Sequence, residues 1–172
     1  LRKKFSHNTQ DEYNTPFYAV DIITPHIPKN KIIWCPFDKK ESKYVIRLKN
    51  TNEVHYTHID DGQDFLNYEP DFDFDIIVSN PPFSIKNEVL KKCYAYNKPF
   101  ALLLPMTMFN SISTISVLKN DIQFIIMDRR ISFNGERPNF TCWYVCRNLL
   151  PTSNIIYKFN DDPRKLYENE PT

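Results

Sequence analysis

Residues 75–84 read DIIVSNPPFS. Behind an aspartate, Ile76, Ile77 and Val78 follow one another without the apolar–polar alternation of a strand that has one wet face. An unbroken run of this kind, stopped abruptly, describes a strand covered on both sides, as in a parallel sheet. The stop itself is unusual, because the chain turns on Asn80 and two consecutive prolines. The common turn residue is almost missing, with two glycines in the whole chain, Gly62 and Gly135.

Further short apolar runs extend the pattern in both directions: KIIWC (31–35), EVHYTHI (53–59), PFALLLP (99–105), IQFIIM (122–127) and FTCWYVC (140–146). ALLL, like DIIV, does not alternate. Parallel neighbours require crossover connections, normally helices. The spacing predicts a helix within 41–50, with Tyr44, Val45 and Leu48 on one face. A second is expected within 84–97, with Ile85, Val89, Leu90 and Cys93, and a weaker third within 110–120. IQFIIMDRRISF and FTCWYVC are separated only by NGERPN, too short for a crossover, so they should pair as an antiparallel hairpin. The expected architecture is α/β, a mainly parallel open sheet with a C-terminal antiparallel hairpin. Residues 1–150 are expected to form one domain. Residues 151–172 are expected to be an extension with an edge strand at NIIYKF and a charged, proline-containing tail, partly disordered.

A chain of 172 residues, 41% hydrophobic, is long enough for one sizeable core. Its formal net charge of +1 excludes affinity for nucleic acid through a globally basic surface, so such binding must come from local patches or a partner. No apolar run reaches the roughly 18 residues of a membrane span, and the start LRKKFSHNTQDEYN lacks a signal peptide's apolar centre, which suggests a cytoplasmic protein. The four cysteines, Cys35, Cys93, Cys142 and Cys146, form no CxxC pair. Cys142 and Cys146, four apart on one strand, would sit about 13 Å from each other, too far for one metal or a bridge. His55 and His58, three apart on a strand, should point to opposite faces.

Ligands of open α/β sheets collect at the carboxyl ends of the strands, and Asn80–Phe83 follow such a strand directly. Two prolines remove two backbone donors and fix two φ angles, so the loop is stiff and presents acceptors. The Asn80 side-chain oxygen and the Pro81 carbonyl could both accept from a planar amino group. Phe83 adds a flat surface for a base. Asn80, Pro81, Pro82 and Phe83 together resemble the (D/N/S)PP(Y/F) signature of S-adenosylmethionine-dependent N6-adenine DNA methyltransferases. TPFYAV (15–20), KIIWCPFD (31–38), YTHIDDGQDF (56–65) and PFALLLP follow the order of that family's motifs over about residues 13–150. The similarity is to minimal phage-type, Dam-like members. It implies a Rossmann-like class I methyltransferase fold and methyl transfer to a flipped-out adenine in DNA, with Asn80 and the Pro81 carbonyl accepting from the amine and Phe83 stacking on the base.

The same resemblance gives Asp38 and its loop neighbours Pro36 and Phe37 to the methionine end of the cofactor. Asp60 or Asp61 goes to the ribose, and Asp64 and Phe65 to the cofactor adenine. Tyr13, Thr15, Pro16 and Phe17 are expected to close the cofactor pocket. Lys86, Lys91, Lys92, Arg129, Arg130 and Arg137 are candidates for phosphate contacts, and Phe133 or Phe140 for holding the base. Two departures stand out. Residues 34–40, WCPFDKK, hold no glycine where the family's first loop is glycine-rich. Only residues 106–121 stand where relatives carry a recognition segment, so specificity would be short-range, supplied by a recognition partner or a homodimer, or absent. RNA adenine and protein glutamine methylation, and a catalytically silent binding protein of the same fold, are the alternatives.

Overall fold

A computed structural model describes residues 14–133 and 138–171; Tyr13 and Arg137 lie outside the described residues. Seven strands form one sheet in the order β2-β1-β3-β4-β6-β5-β7. They are β1 Ile32–Cys35, β2 Glu53–Tyr56, β3 Ile76–Ser79, β4 Phe100–Pro105, β5 Ile122–Met127, β6 Cys142–Arg147 and β7 Asn154–Tyr157. Neighbouring pairs are parallel except β4–β6 and β5–β6, so β6 alone runs against the rest. The expected sheet, including its hairpin, is the one observed.

The unbroken apolar runs are explained by two covered faces. Ile33, Cys35, Ile76, Val78, Ala101 and Leu103 point into one core, where α1 (Phe17–Ile23) and α2 (Lys43–Leu48) pack. Trp34, Ile77, Phe100, Leu102 and Leu104 point into the other, under α3 (Lys86–Tyr96). The α2 face is the expected one, with Tyr44, Val45 and Leu48 buried. In α3, Val89, Leu90, Cys93 and Tyr94 are buried, and Asn97 ends the helix in a left-handed conformation (φ 53°) that asparagine tolerates better than most residues.

Two expectations change. The third helix is a single turn, α4 (Ile112–Ile115), after a 3₁₀ segment at Met106–Asn110. Ile112 is 90% exposed and Ile115 is exposed too, so although Thr114 is buried and Val117 and Leu118 pack on the second core, 110–120 has no continuous apolar stripe to hold a longer helix. His58 is not on a strand: β2 stops at Tyr56, and His58 Nδ1 accepts from the Asp60 amide at 3.1 Å, capping the 3₁₀ turn Ile59–Asp61. Cys142 and Cys146 do share a face of β6, and both are buried free thiols in the first core.

Residues 151–171 carry β7 and α5 (Pro163–Glu168). They fold back on the first face, where Tyr18 meets Phe159 edge-on at 5.9 Å and its amide donates to Glu170 Oε1 at 2.7 Å. No helix among the described residues is long and apolar enough to cross a membrane.

Candidate active site

Because β1, β2, β3, β4 and β5 share one direction, their carboxyl ends open on the same edge of the sheet. That edge gathers the loop after β1 with Pro36, Phe37 and Asp38, the turn after β2 with Asp60 and Asp61, Asn80–Phe83 after β3, and Arg129, Arg130 and Phe133 after β5. Phe140 joins them from the amino end of β6, meeting Phe83 edge-on at 5.5 Å.

The proline loop stands as the sequence suggests at its start. β3 ends at Ser79, Asn80 is half-buried, Pro81 is buried, and Phe83 opens the 3₁₀ turn Phe83–Ile85. Phe83 is half-buried between the two cores rather than freely exposed. The Asn80 amide nitrogen donates to Thr15 Oγ1 at 3.0 Å, and its Oδ1 atom is shielded from solvent. Thr15 is brought there by Pro16, whose extended backbone ends at the start of α1. That helix is fixed in turn by α2. Arg47 pairs with Asp21 at 2.7 Å and lies over the ring of Phe17 at 4.3 Å.

Asp38 lies beneath this surface. It is 8% exposed, and its carboxylate accepts from the hydroxyls of Ser42 and Ser79. Burial pushes its carboxyl up to about 6, against the two serine hydrogen bonds, which pull it down. The loop after β1 and the head of the proline loop are thereby joined through one side chain.

Around β2 the predicted acidic residues separate into two kinds. Asp60 and Asp61 are exposed on the turn, with Asp60 paired to Lys39 at 2.6 Å. Asp64 closes its own turn, accepting from the Leu66 amide at 3.1 Å and from Asn67 Nδ2 at 2.6 Å. Phe65 is 1% exposed and packs on Trp34 at 5.3 Å and Phe37 at 5.0 Å. Phe133 is also buried at 1%, within the first core. Arg129 and Arg130 are exposed, and Arg130 donates to the Pro138 carbonyl at 3.4 Å. Lys86 donates to the Phe83 carbonyl at 3.4 Å, while Lys91 and Lys92 sit on α3, with Lys92 paired to Glu69 at 2.7 Å.

Four residues of this edge escape sequence reasoning: Ser42, Ser79, Tyr44 and Tyr144. Tyr44 and Tyr144 are buried, their hydroxyls 2.8 Å apart, and Tyr144 donates to the Ala19 carbonyl at 3.0 Å. The signal available was polarity at buried positions. Tyr44 lies on the apolar stripe of α2, and Ser79 ends an otherwise apolar strand beside Asn80. Among the described residues no cluster of His, Cys, Asp or Glu could hold a metal.

Neither a protein-family model nor a curated protein matches the chain. Among solved structures, the methyltransferase subunit of the type I restriction-modification system from Streptococcus thermophilus is similar, with TM-score 0.51 and 11% identity over 89% of this chain and 49% of that one. The chain thus spans about half the length of that structure. At this identity the likeness carries the fold, a Rossmann-like class I methyltransferase fold, and the neighbour is a type I subunit rather than a Dam-like enzyme.

Proposed function

We propose that this chain transfers a methyl group from S-adenosylmethionine to the exocyclic N6 of adenine in DNA, with the base turned out of the duplex. The observation that carries the reading is Asn80-Pro81-Pro82-Phe83 at the carboxyl end of β3 in a sheet of methyltransferase type, with the Asn80 amide nitrogen held by Thr15. The minimal phage-type, Dam-like grouping rests on the motif order alone.

Acceptor chemistry at this edge fits the ribose of the cofactor, because Asp60 and Asp61 are exposed carboxylates on the turn after β2 and a vicinal diol needs such acceptors. Asp38 would steady the loop after β1 from beneath, with Pro36 and Phe37 facing the methionine part. Thr15, Pro16 and Phe17 would border the pocket, as would Tyr13, outside the described residues. Bound there, the cofactor supplies an electrophilic methyl on a positively charged sulfur. Asn80 Oδ1 and the Pro81 carbonyl accept the hydrogens of the target amine and orient its nitrogen, so positioning does most of the catalysis. Because Oδ1 is shielded, productive binding includes a rearrangement of the residues around Asn80. Phe83 would stack on the base with Phe140, edge-on to Phe83 at 5.5 Å, bordering it, whereas Phe133 is buried in the first core. Arg129, Arg130, Lys86 and, outside the described residues, Arg137 would meet phosphates. With only a 3₁₀ segment and one helical turn between β4 and β5, sequence choice falls to short-range contacts or to a partner.

One observation favours a second reading, a silent binding protein of the same fold. Asp64 is committed to its own turn and Phe65 is sealed against Trp34, so neither presents itself to an adenine ring. Isothermal titration with S-adenosylmethionine separates the two, since a silent protein releases no binding heat. Labelled methyl transfer to DNA, RNA and protein then ranks the acceptors. Asn80→Ala is expected to lower transfer about a hundredfold or more while leaving cofactor affinity unchanged. Equal loss of both would make the loop a purely structural turn.

A further inference from the structure

Helix α1 starts without a cap of its own. Its N-cap position is Pro16, which has no side-chain acceptor, and no acidic residue stands in its first turn. Two of its leading amides are met from within, since Ala19 and Val20 donate to the Pro16 carbonyl at 3.1 Å and 3.2 Å. The Tyr18 amide must find a partner elsewhere, as the first amides of any helix do. That partner is the Glu170 carboxylate at 2.7 Å, brought from 152 residues away. A charged acceptor makes such a bond roughly twice as strong as a neutral one. The same tyrosine is held at its other end, where the Ser132 amide donates to its hydroxyl at 2.6 Å in the loop after β5. Three residues before Tyr18, Thr15 is 7% exposed and accepts from Asn80 Nδ2 at 3.0 Å. Between them lies Pro16, with φ fixed by its ring and its carbonyl committed to the helix, so little slack separates the anchor from the contact.

We propose that Glu170 and Tyr18 are positioning residues: the C-terminal segment straps the start of α1 and through it holds Thr15 against the Asn80 side chain. What the positioning serves rests on the methyltransferase reading, whereas the strap exists with or without the chemistry. Glu170 lies beyond the span that carries the motif order, so the site depends on a segment that none of the motifs includes. With the strap released, α1 keeps its tie to α2 through Arg47 and Asp21 at 2.7 Å, and only its first turn loosens. The defect then falls on the presentation of Asn80 and not on folding.

The test uses the full chain and two independent readouts. In the protein without ligands, nitrogen-15 NMR follows exchange of the Tyr18 amide and of the Asn80 Nδ2 protons. Glu170→Ala should quicken both by about fivefold, the size expected for loss of a helix cap, and Glu170→Gln, which keeps an acceptor at the same reach, should restore most of the protection. In labelled methyl transfer to adenine-containing DNA, well below the melting temperature, Glu170→Ala should lose about fivefold in kcat with the KM for DNA unchanged, and Glu170→Gln should recover most of it. Thermal melts report folding, and if Glu170→Ala fails to fold, Glu170→Asp, whose shorter side chain draws the carboxylate back, takes its place. Exchange that quickens at Tyr18 alone, with Asn80 and kcat unmoved in an active enzyme, reduces Glu170 to a helix cap and overturns the proposal. A protein that transfers no methyl group removes the methyltransferase reading, and there the exchange at Asn80 still decides the strap.

Discussion

Asp38 is the residue whose surroundings most alter its chemistry. Its carboxyl, ordinarily near 3.8, is raised to about 6 by burial, so between those values the folded protein holds a proton that the unfolded chain has released. A raised carboxyl stabilises the fold fully below the unfolded value, and that contribution falls as pH rises through the folded one. Relative to Asp38→Asn, the wild-type protein should therefore lose about 3 kcal/mol of unfolding free energy between about pH 4 and about pH 6, read from urea curves at stepped pH. A difference that stays flat would show that the carboxyl titrates normally. The stiffness of Pro81 and the acidity of Asp38 can be read from the sequence, because they are properties of single residues. The contribution of Ser42 and Ser79 cannot, since a serine acquires its role only from what the fold sets opposite it, and Ser79 meets Asp38 across 41 residues of chain. Phe65 and Phe133 were expected at the surface of the site and lie in the core, because an aromatic ring reads alike as a stacking platform and as filling.

At the scale of elements, β1 shows how one strand serves two cores. Trp34 is fully buried and touches Phe65, Tyr68, Phe72, Phe74 and Tyr96, with ring centroids 5.0–6.4 Å away, while its indole nitrogen donates to Thr57 Oγ1 at 3.0 Å. Truncating it leaves a cavity among rigid rings and removes one of the two partners of the Thr57 hydroxyl, which still donates to the Pro36 carbonyl at 3.4 Å. Trp34→Ala should cost about 3–5 kcal/mol in urea unfolding, and a loss under about 1 kcal/mol would mean the ring cluster closes over the gap. β3 and β4 can be read from the sequence because an apolar run covered on both faces leaves a clear trace, whereas β2, half-exposed, ends at Tyr56 short of the run EVHYTHI. The connection between β4 and β5 was overestimated for the complementary reason. Ile112 and Ile115 have the spacing of one helix face, but periodicity records only that a face could be buried, and both are exposed, while Val117 and Leu118 pack on the second core beyond the single turn.

For the whole molecule, the segment after Leu150 tests where the folding unit ends. β7 pairs with β5 along four residues, and Phe159 and Leu166 pack on the first core. Truncation after Leu150 should thus lower the melting temperature by roughly 5 °C or more by differential scanning calorimetry, whereas an unchanged melt would make 151–172 a dispensable appendage. That packing was hidden in the sequence because a charged tail with one short apolar run does not reveal which surface it will cover. One long-range tie has a bearing on how the protein would handle two ligands. Ser42 and Ser79 grip opposite oxygens of a single carboxylate, so the segment that would greet a donor and the segment that would greet an acceptor are not independent parts. Whatever draws on one of them also pulls the other, and thermodynamic reciprocity makes the influence equal in both directions. Under the proposed function, occupancy at one side would then set affinity at the other.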